Sequence, residues 1–160
     1  MKKLFQLLIA FAFLLTAQGA FAQSRFAPQI GYLTDGGGAF IIGVNGEFFL
    51  KDKISIQPAF NYYLLNDKVP GYSYSYWSLD ADGHYYFTEG STTVYGLAGF
   101  SYAHAGIEYS GGSFSDNEFG LNLGLGANFM ADTKMIPFVE LKYNSPFESL
   151  ILTAGLRFGK

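Results

Sequence analysis

The stretch "FGLNLGLGANFM", residues 119 to 130, constrains the fold more than any other part of this 160-residue chain. Every second residue is apolar: Phe119, Leu121, Leu123, Leu125, Ala127 and Phe129. Gly120, Asn122, Gly124, Gly126 and Asn128 lie between them. A period of two marks a β-strand, because successive side chains leave opposite faces of the pleat. The run is twelve residues long, about twice the usual length of a globular strand. Its polar face carries no charge, unlike a surface made to face water. A long strand with a greasy side and a small, uncharged side asks for lipid on one side and a crowded interior on the other.

The N-terminus, "MKKLFQLLIAFAFLLTAQGAFAQS", has the form of a secretory signal. Lys2 and Lys3 make a basic n-region, Leu4 to Leu15 is apolar except for Gln6, and Ala20-Phe21-Ala22 is a small-x-small cleavage site. This apolar run is too short to span a bilayer, which takes about 20 helical residues. The reading is a signal peptide over 1–22 and one domain over 23–160, a mature chain of 160 − 22 = 138 residues. The chain has no cysteine, which removes disulfides, thiol chemistry and a lipid anchor at the cleavage site. Without Lys2 and Lys3, 8 basic residues face 13 acidic ones, a formal charge of −5. There is no basic stripe or run to suit nucleic acid or anionic lipid. Charged residues are 14%, well below the usual quarter. The chain is too apolar for disorder and, with 20 glycines, too glycine-rich for a helical bundle. The mature part has no run of 18 apolar residues, so no helix would do the spanning.

Alternation recurs along the chain and predicts eight strands: 26–34, 39–50, 54–65, 72–87, 92–104, 119–130, 135–144 and 150–158. In the fourth, the apolar phase changes near Trp77, which predicts a bulge there. Residues 105–116, rich in glycine and serine, read as the longest loop. Short connections make each neighbouring pair an antiparallel hairpin. No segment of helical period remains to cover a sheet face, and an open sheet would leave two exposed edges. Closure removes them. A soluble barrel is apolar inside, and such a core needs bulky branched residues. Here the continuous bulky faces are the apolar ones, and the alternate faces mix Gly, Asn, Ser, Gln and Thr with a few charges. The fold class predicted is all-β: an eight-stranded antiparallel up-and-down transmembrane barrel with lipid outside, as a bilayer demands of any spanning sheet.

If the chain starts on the periplasmic side, aromatic residues fall in two bands. Tyr62, Tyr63, Tyr72, Tyr74, Tyr76, Trp77, Tyr102 and Tyr143 would make an outer rim, and Phe48, Tyr85, Phe87, Phe129 and Phe158 an inner one. With these features the chain resembles the small eight-stranded outer-membrane barrels of Gram-negative bacteria, the OmpA/OmpX-like group. The most specific resemblance is the end, "LILTAGLRFGK". Family members finish with an aromatic preceded by alternating apolar residues, which the outer-membrane assembly machinery reads. Phe158 with Leu156, Ala154, Leu152 and Leu150 fits that signal, although Gly159 and Lys160 follow it. The resemblance implies an integral outer-membrane protein, a monomer, with outer-membrane lipids, lipopolysaccharide and the assembly machinery as partners.

The charges on the inward faces are Glu47, Asp80, Asp82, Glu140, Lys142 and Arg157, joined by His84. Arg157 and Glu47 should lie low in the barrel with Asp82 and His84 near them, and Glu140, Lys142 and Asp80 at mid-height. A small barrel has no room for a wide aqueous pore, and an unpaired buried charge costs several kcal/mol. The groups should therefore pair into a polar plug. Because four carboxylates face two bases, one carboxyl would keep its proton. The alternative is a narrow ion or solute pathway, which single-channel recording distinguishes. A third reading is a lipid A-modifying enzyme. His104 lies near Ser101, Glu108 and Ser110, but His104 and Ser101 fall on opposite strand faces, and the His-x-Ser spacing of lipid A deacylases is absent. Mass spectrometry of lipid A would test it. No catalytic residue, cofactor or metal site is assigned, since no cluster has zinc spacing and the glycine pairs lie in loops. The remaining role is structural or adhesive. The upper half of the fourth strand, Tyr72, Tyr74, Tyr76 and Trp77, together with residues 105–116, is the candidate binding surface.

Overall fold

The alternating segments form eight strands in the computed structural model, which describes residues 24–35, 38–65, 72–131 and 133–159. The expected signal peptide lies outside the described residues. The strands are β1 (Ser24–Leu33), β2 (Ala39–Lys51), β3 (Ile54–Leu65), β4 (Tyr72–Tyr86), β5 (Thr92–Tyr109), β6 (Gly112–Phe129), β7 (Met135–Asn144) and β8 (Ser149–Gly159). Each pairs antiparallel with its sequence neighbour, and β8 closes on β1 through pairs such as Phe26↔Phe158 and Ile30↔Ala154. The result is a closed up-and-down barrel.

Its polarity is inverted relative to a soluble barrel. Leu121, Leu123 and Leu125 stand outward, 58%, 67% and 59% exposed, and Phe40, Ile42, Val44, Phe100, Leu141 and Leu152 do the same on their strands. The buried side chains include Glu47, Asp80, Asp82, His84, Glu140, Lys142 and Arg157. An apolar exterior of this extent is stable only in hydrocarbon, since monomeric soluble proteins rarely expose patches beyond a few hundred Å².

The inward glycines of the opening stretch now have a reason. A Cβ on Gly126 would run into the Tyr95 ring, and one on Gly124 into the Lys142 stem and the Leu141 carbonyl. The small residues of β6 leave room for the large side chains of its two neighbours.

Two expectations are corrected. β4 runs without a bulge through Trp77, in register with both β3 and β5. A register shift is observed instead at the opposite end of the barrel, between Phe49 and Lys51 of β2. Residues 105–116 are not a loop either. β5 and β6 stay paired up to Tyr109↔Gly112, with a turn only at Ser110 and Gly111. Glycine and serine suggested a loop, but the alternation of Ile107, Tyr109 and Phe114 with small polar residues continues, and cross-strand pairing overrides weak β-propensity.

Candidate functional site

Inside the barrel the polar side chains form three layers. In the lowest, Glu47 Oε1 accepts from Ser55 Oγ at 2.7 Å and from the Tyr86 hydroxyl, and lies 3.2 Å from His84 Nδ1. Its Oε2 is 3.6 Å from both Arg25 and Arg157. In the middle layer Glu140 Oε1 accepts from Arg157 Nη2 at 2.7 Å and from Tyr95 Oη at 2.8 Å. The Arg157 guanidinium also donates to Gln57 Oε1 at 2.7 Å and to Asn128, and its centre lies 4.1 Å from the Phe138 ring centroid. In the upper layer Lys142 Nζ donates to Asp80 at 2.7 Å and to Asp82 at 3.2 Å. Ser101 and Asn61 add donors to Asp80, and Asn122 one to Asp82.

All seven charged or titratable residues singled out in the lumen are thus brought together, but in different groups from those expected. Asp82 belongs with Lys142 and Asp80 rather than with Glu47, and Glu140 belongs with Arg157. A third base, Arg25, stands in the lowest layer. The sequence reading began its first strand at Phe26 and so missed it, although Arg25, Ala27 and Gln29 continue the inward phase. Tyr86 and Tyr95 were missed as well, because an aromatic on a nominally polar face gives no sign of its hydroxyl partner.

Above these layers the lumen is apolar. Leu33, Ala39, Ile41, Tyr63 and Ile151 pack together, with Tyr76 and Phe147 against them. Tyr63, assigned from sequence to the outer aromatic rim, is 4% exposed, and its hydroxyl lies 3.1 Å from Ser78 Oγ.

The four aromatic residues of the candidate surface on β4 are also divided. Trp77 faces outward, with its ring 5.8 Å from Tyr102, 6.3 Å from Phe60 and 5.1 Å from His104. Tyr72, Tyr74 and Tyr76 leave the other face. Tyr76 lies against the apolar cap, and Tyr72 packs beside Tyr74 and Tyr109. Beyond Trp77, therefore, polarity reverses. The outward-phase residues Ser73, Ser75, Glu108, Ser113, Ser115 and Asn117 are polar, whereas Tyr72, Tyr74, Ile107, Tyr109 and Phe114 occupy the inward phase. This reversal produced the apparent phase change at Trp77. It also marks where the apolar belt ends.

That part of the sheet rises past its neighbours. β6 pairs with β7 only from Asn122 onward, and β4 with β3 only up to Tyr76. Residues 112–120 of β6 therefore have no strand partner on the β7 side among the described residues. At the other end of the barrel, Phe26 packs edge-on against Phe48 at 5.8 Å, and Tyr85 against Phe87 at 5.6 Å. Phe158 faces outward there, with Leu150, Leu152, Ala154 and Leu156 on the same face of β8. His104 and Ser101 lie on opposite faces: Ser101 donates to Asp80 inside, and His104 Nδ1 sits 2.7 Å from Asn117 Oδ1 outside.

No family model and no curated protein matches the sequence. Solved structures do match. The N-terminal β-barrel domain of Pseudomonas aeruginosa OprF is 15% identical with a TM-score of 0.70, over 86% of this chain and 97% of that one. Neisserial surface protein A is 14% identical with a TM-score of 0.66, over 85% and 95%. Ail, the attachment invasion locus protein of Yersinia pestis, is 15% identical with a TM-score of 0.56, over 86% and 95%. Ail has also been solved with the heparin analogue sucrose octasulfate. At such identities the likeness is one of fold. That fold, with outward leucines and a polar lumen, defines the class: a small eight-stranded up-and-down β-barrel of the kind found in outer membranes.

Proposed function

We propose that this protein is a non-enzymatic, monomeric outer-membrane barrel with a plugged lumen, whose raised β4–β6 sheet binds partners at the cell surface. In this reading, β8 with its outward Phe158 is what the assembly machinery recognises, and outer-membrane lipids and lipopolysaccharide surround the belt. The observation that carries it is the unpaired β6 edge over residues 112–120 beside an exposed aromatic face, on which Phe114 is 66% exposed. A free strand edge offers backbone donors and acceptors to an added strand. Leu121 donates its N–H to Ser145 Oγ and accepts from the Ser145 N–H. This fixes the phase: odd-numbered residues of β6 direct their backbone groups towards the free edge. The Asn117 N–H is already occupied by Asp116 Oδ1.

Charge selects the partner. The described residues from Tyr72 to Phe129 include Glu108, Asp116 and Glu118 but no Lys or Arg. A sulfated sugar such as the sucrose octasulfate solved with Ail does not suit this surface, whereas an extended protein segment with cationic side chains does. The test uses the protein in lipid nanodiscs and a synthetic peptide of alternating lysine and threonine. Ser115→Pro removes one edge donor without touching the ladder to β5. Binding at least tenfold weaker in Ser115→Pro than in wild type is expected. Equal binding by the two proteins would refute strand addition.

A further inference from the structure

The outward face of the raised sheet holds a second, separate feature, which does not depend on the β6 edge. A cavity of about 280 Å³ opens there between β4, β5 and β6. Ser73, Ser75, His104, Glu108, Ser113 and Ser115 line it, and the buried Gly106 is among its lining residues. A Cβ on Gly106 would sit 3.1 Å from His104 Nε2 and 3.7 Å from Ser75 Cβ, so a side chain there would occupy the space between them. The hydrogen bond from Nδ1 to Asn117 fixes the imidazole, and its stacking on Trp77 fixes it from below. Nε2 is left facing the space above Gly106.

The position is as informative as the lining. His104 pairs with Trp77, and Trp77 packs on Tyr102, in the outward aromatic band where the apolar belt stops. Tryptophan and tyrosine mark the headgroup level of a bilayer. A molecule in the cavity would therefore touch water on one side, while anything trailing from it would run down among acyl chains. The polar groups are four hydroxyls, an imidazole nitrogen and a carboxylate. Hydroxyls donate and accept, and a carboxylate accepts two hydrogen bonds readily. This set matches a ligand rich in hydroxyl groups. It does not match a phosphate, which would meet the Glu108 carboxylate with no Lys or Arg among the lining residues. Nor is it a metal site, since no group of three or more His, Cys, Asp or Glu among the described residues could hold an ion.

We propose that this cavity binds the sugar headgroup of a membrane glycolipid, with the sugar hydroxyls on Glu108 and the four serines and one sugar face over Gly106. The chain has one tryptophan, which gives a direct optical readout through its stacking on His104. In phosphatidylcholine nanodiscs, added diglucosyl diacylglycerol should shift Trp77 emission saturably, and phosphatidylglycerol should not. Gly106→Val fills the cavity and should weaken the response at least tenfold. Glu108→Gln should weaken it about threefold to tenfold, in line with the loss of a charge-assisted hydrogen bond. Unchanged heat-modifiable gel migration would show that both variants keep the closed barrel. Three results would overturn the proposal: an equal response to phosphatidylglycerol, an undiminished response in Gly106→Val, or saturation by free disaccharide at the same concentration as the glycolipid. The last would mean that the membrane-borne part contributes nothing.

Discussion

Arg157 shows how one residue organises the interior. Fully buried, it reaches Glu140, Gln57, Tyr95 and Asn128 by hydrogen bonds and Glu47 by charge. A guanidinium can satisfy so many partners because its donors form a fixed planar fork, which an ammonium lacks. Removing it leaves two buried carboxylates without their main counter-charge. Breaking a buried pair from one side costs roughly 3–5 kcal/mol, whereas replacing a whole cluster by neutral groups can be close to neutral. Arg157→Met should therefore lose about 3–5 kcal/mol in urea unfolding from lipid vesicles. Adding Glu47→Gln and Glu140→Gln should recover most of that loss. If the single and triple variants prove equally unstable, the packing of the long side chain matters and the charge cluster does not. The inward position of Arg157 was legible, because alternation along β8 is unbroken. Its partners were not legible, because a strand gives no information on which distant strand faces it across a lumen.

The strands were read more completely than the connections between them. β3 and β7 match the predicted bounds residue for residue, since both alternate cleanly from end to end. β4, β5 and β6 were misjudged beyond Trp77, and otherwise by a single residue at the opposite ends of β4 and β6. Beyond Trp77 the environment outside changes from lipid to water, so the hydrophobic phase changes while the backbone does not. A sequence cannot distinguish such a reversal from a bulge, because both shift the apolar set by one position. The ribbon makes a specific prediction for hydrogen exchange. Amides of Phe114, Asp116 and Glu118 point to β5 and should exchange slowly in detergent micelles. Those of Ser113, Ser115 and Phe119 point to the free edge and should exchange fast, with Asn117 held back by Asp116. Two-dimensional NMR after transfer to D2O reads this alternation directly. Uniformly fast exchange over residues 105–116 would instead restore the flexible loop expected from glycine and serine.

At the scale of the whole molecule, the inverted polarity and the plugged interior are one solution. β3 and β7 stand four places apart on a ring of eight, yet Gln57 and Glu140 approach to 3.3 Å across it. A lumen narrow enough for that contact is filled by side chains, and the bulky apolar residues are then left for the outside. Composition made this legible, since low charge and high glycine suit a barrel whose outward belt is apolar and whose lumen is crowded. The barrel is asymmetric, with a raised sheet at the Ser110 end, and short turns with the barrel ends Ser24 and Gly159 at the other, and this predicts the direction in which it spans the membrane. A chain without cysteine allows this to be mapped with single thiols and no background. In intact cells, a membrane-impermeant maleimide should label Ser110→Cys at the ribbon tip. It should label Glu89→Cys, in the β4–β5 turn, only after the outer membrane is permeabilised. Leu123→Cys is the decisive case. Its position is 67% exposed, so a barrel in aqueous solution would react there at once. In the membrane, acyl chains cover it, and the thiol should stay unlabelled in cells and in vesicles until the barrel is denatured. Prompt labelling of Leu123→Cys in vesicles would mean that the leucine face meets water, and a lipid-facing exterior would no longer be tenable.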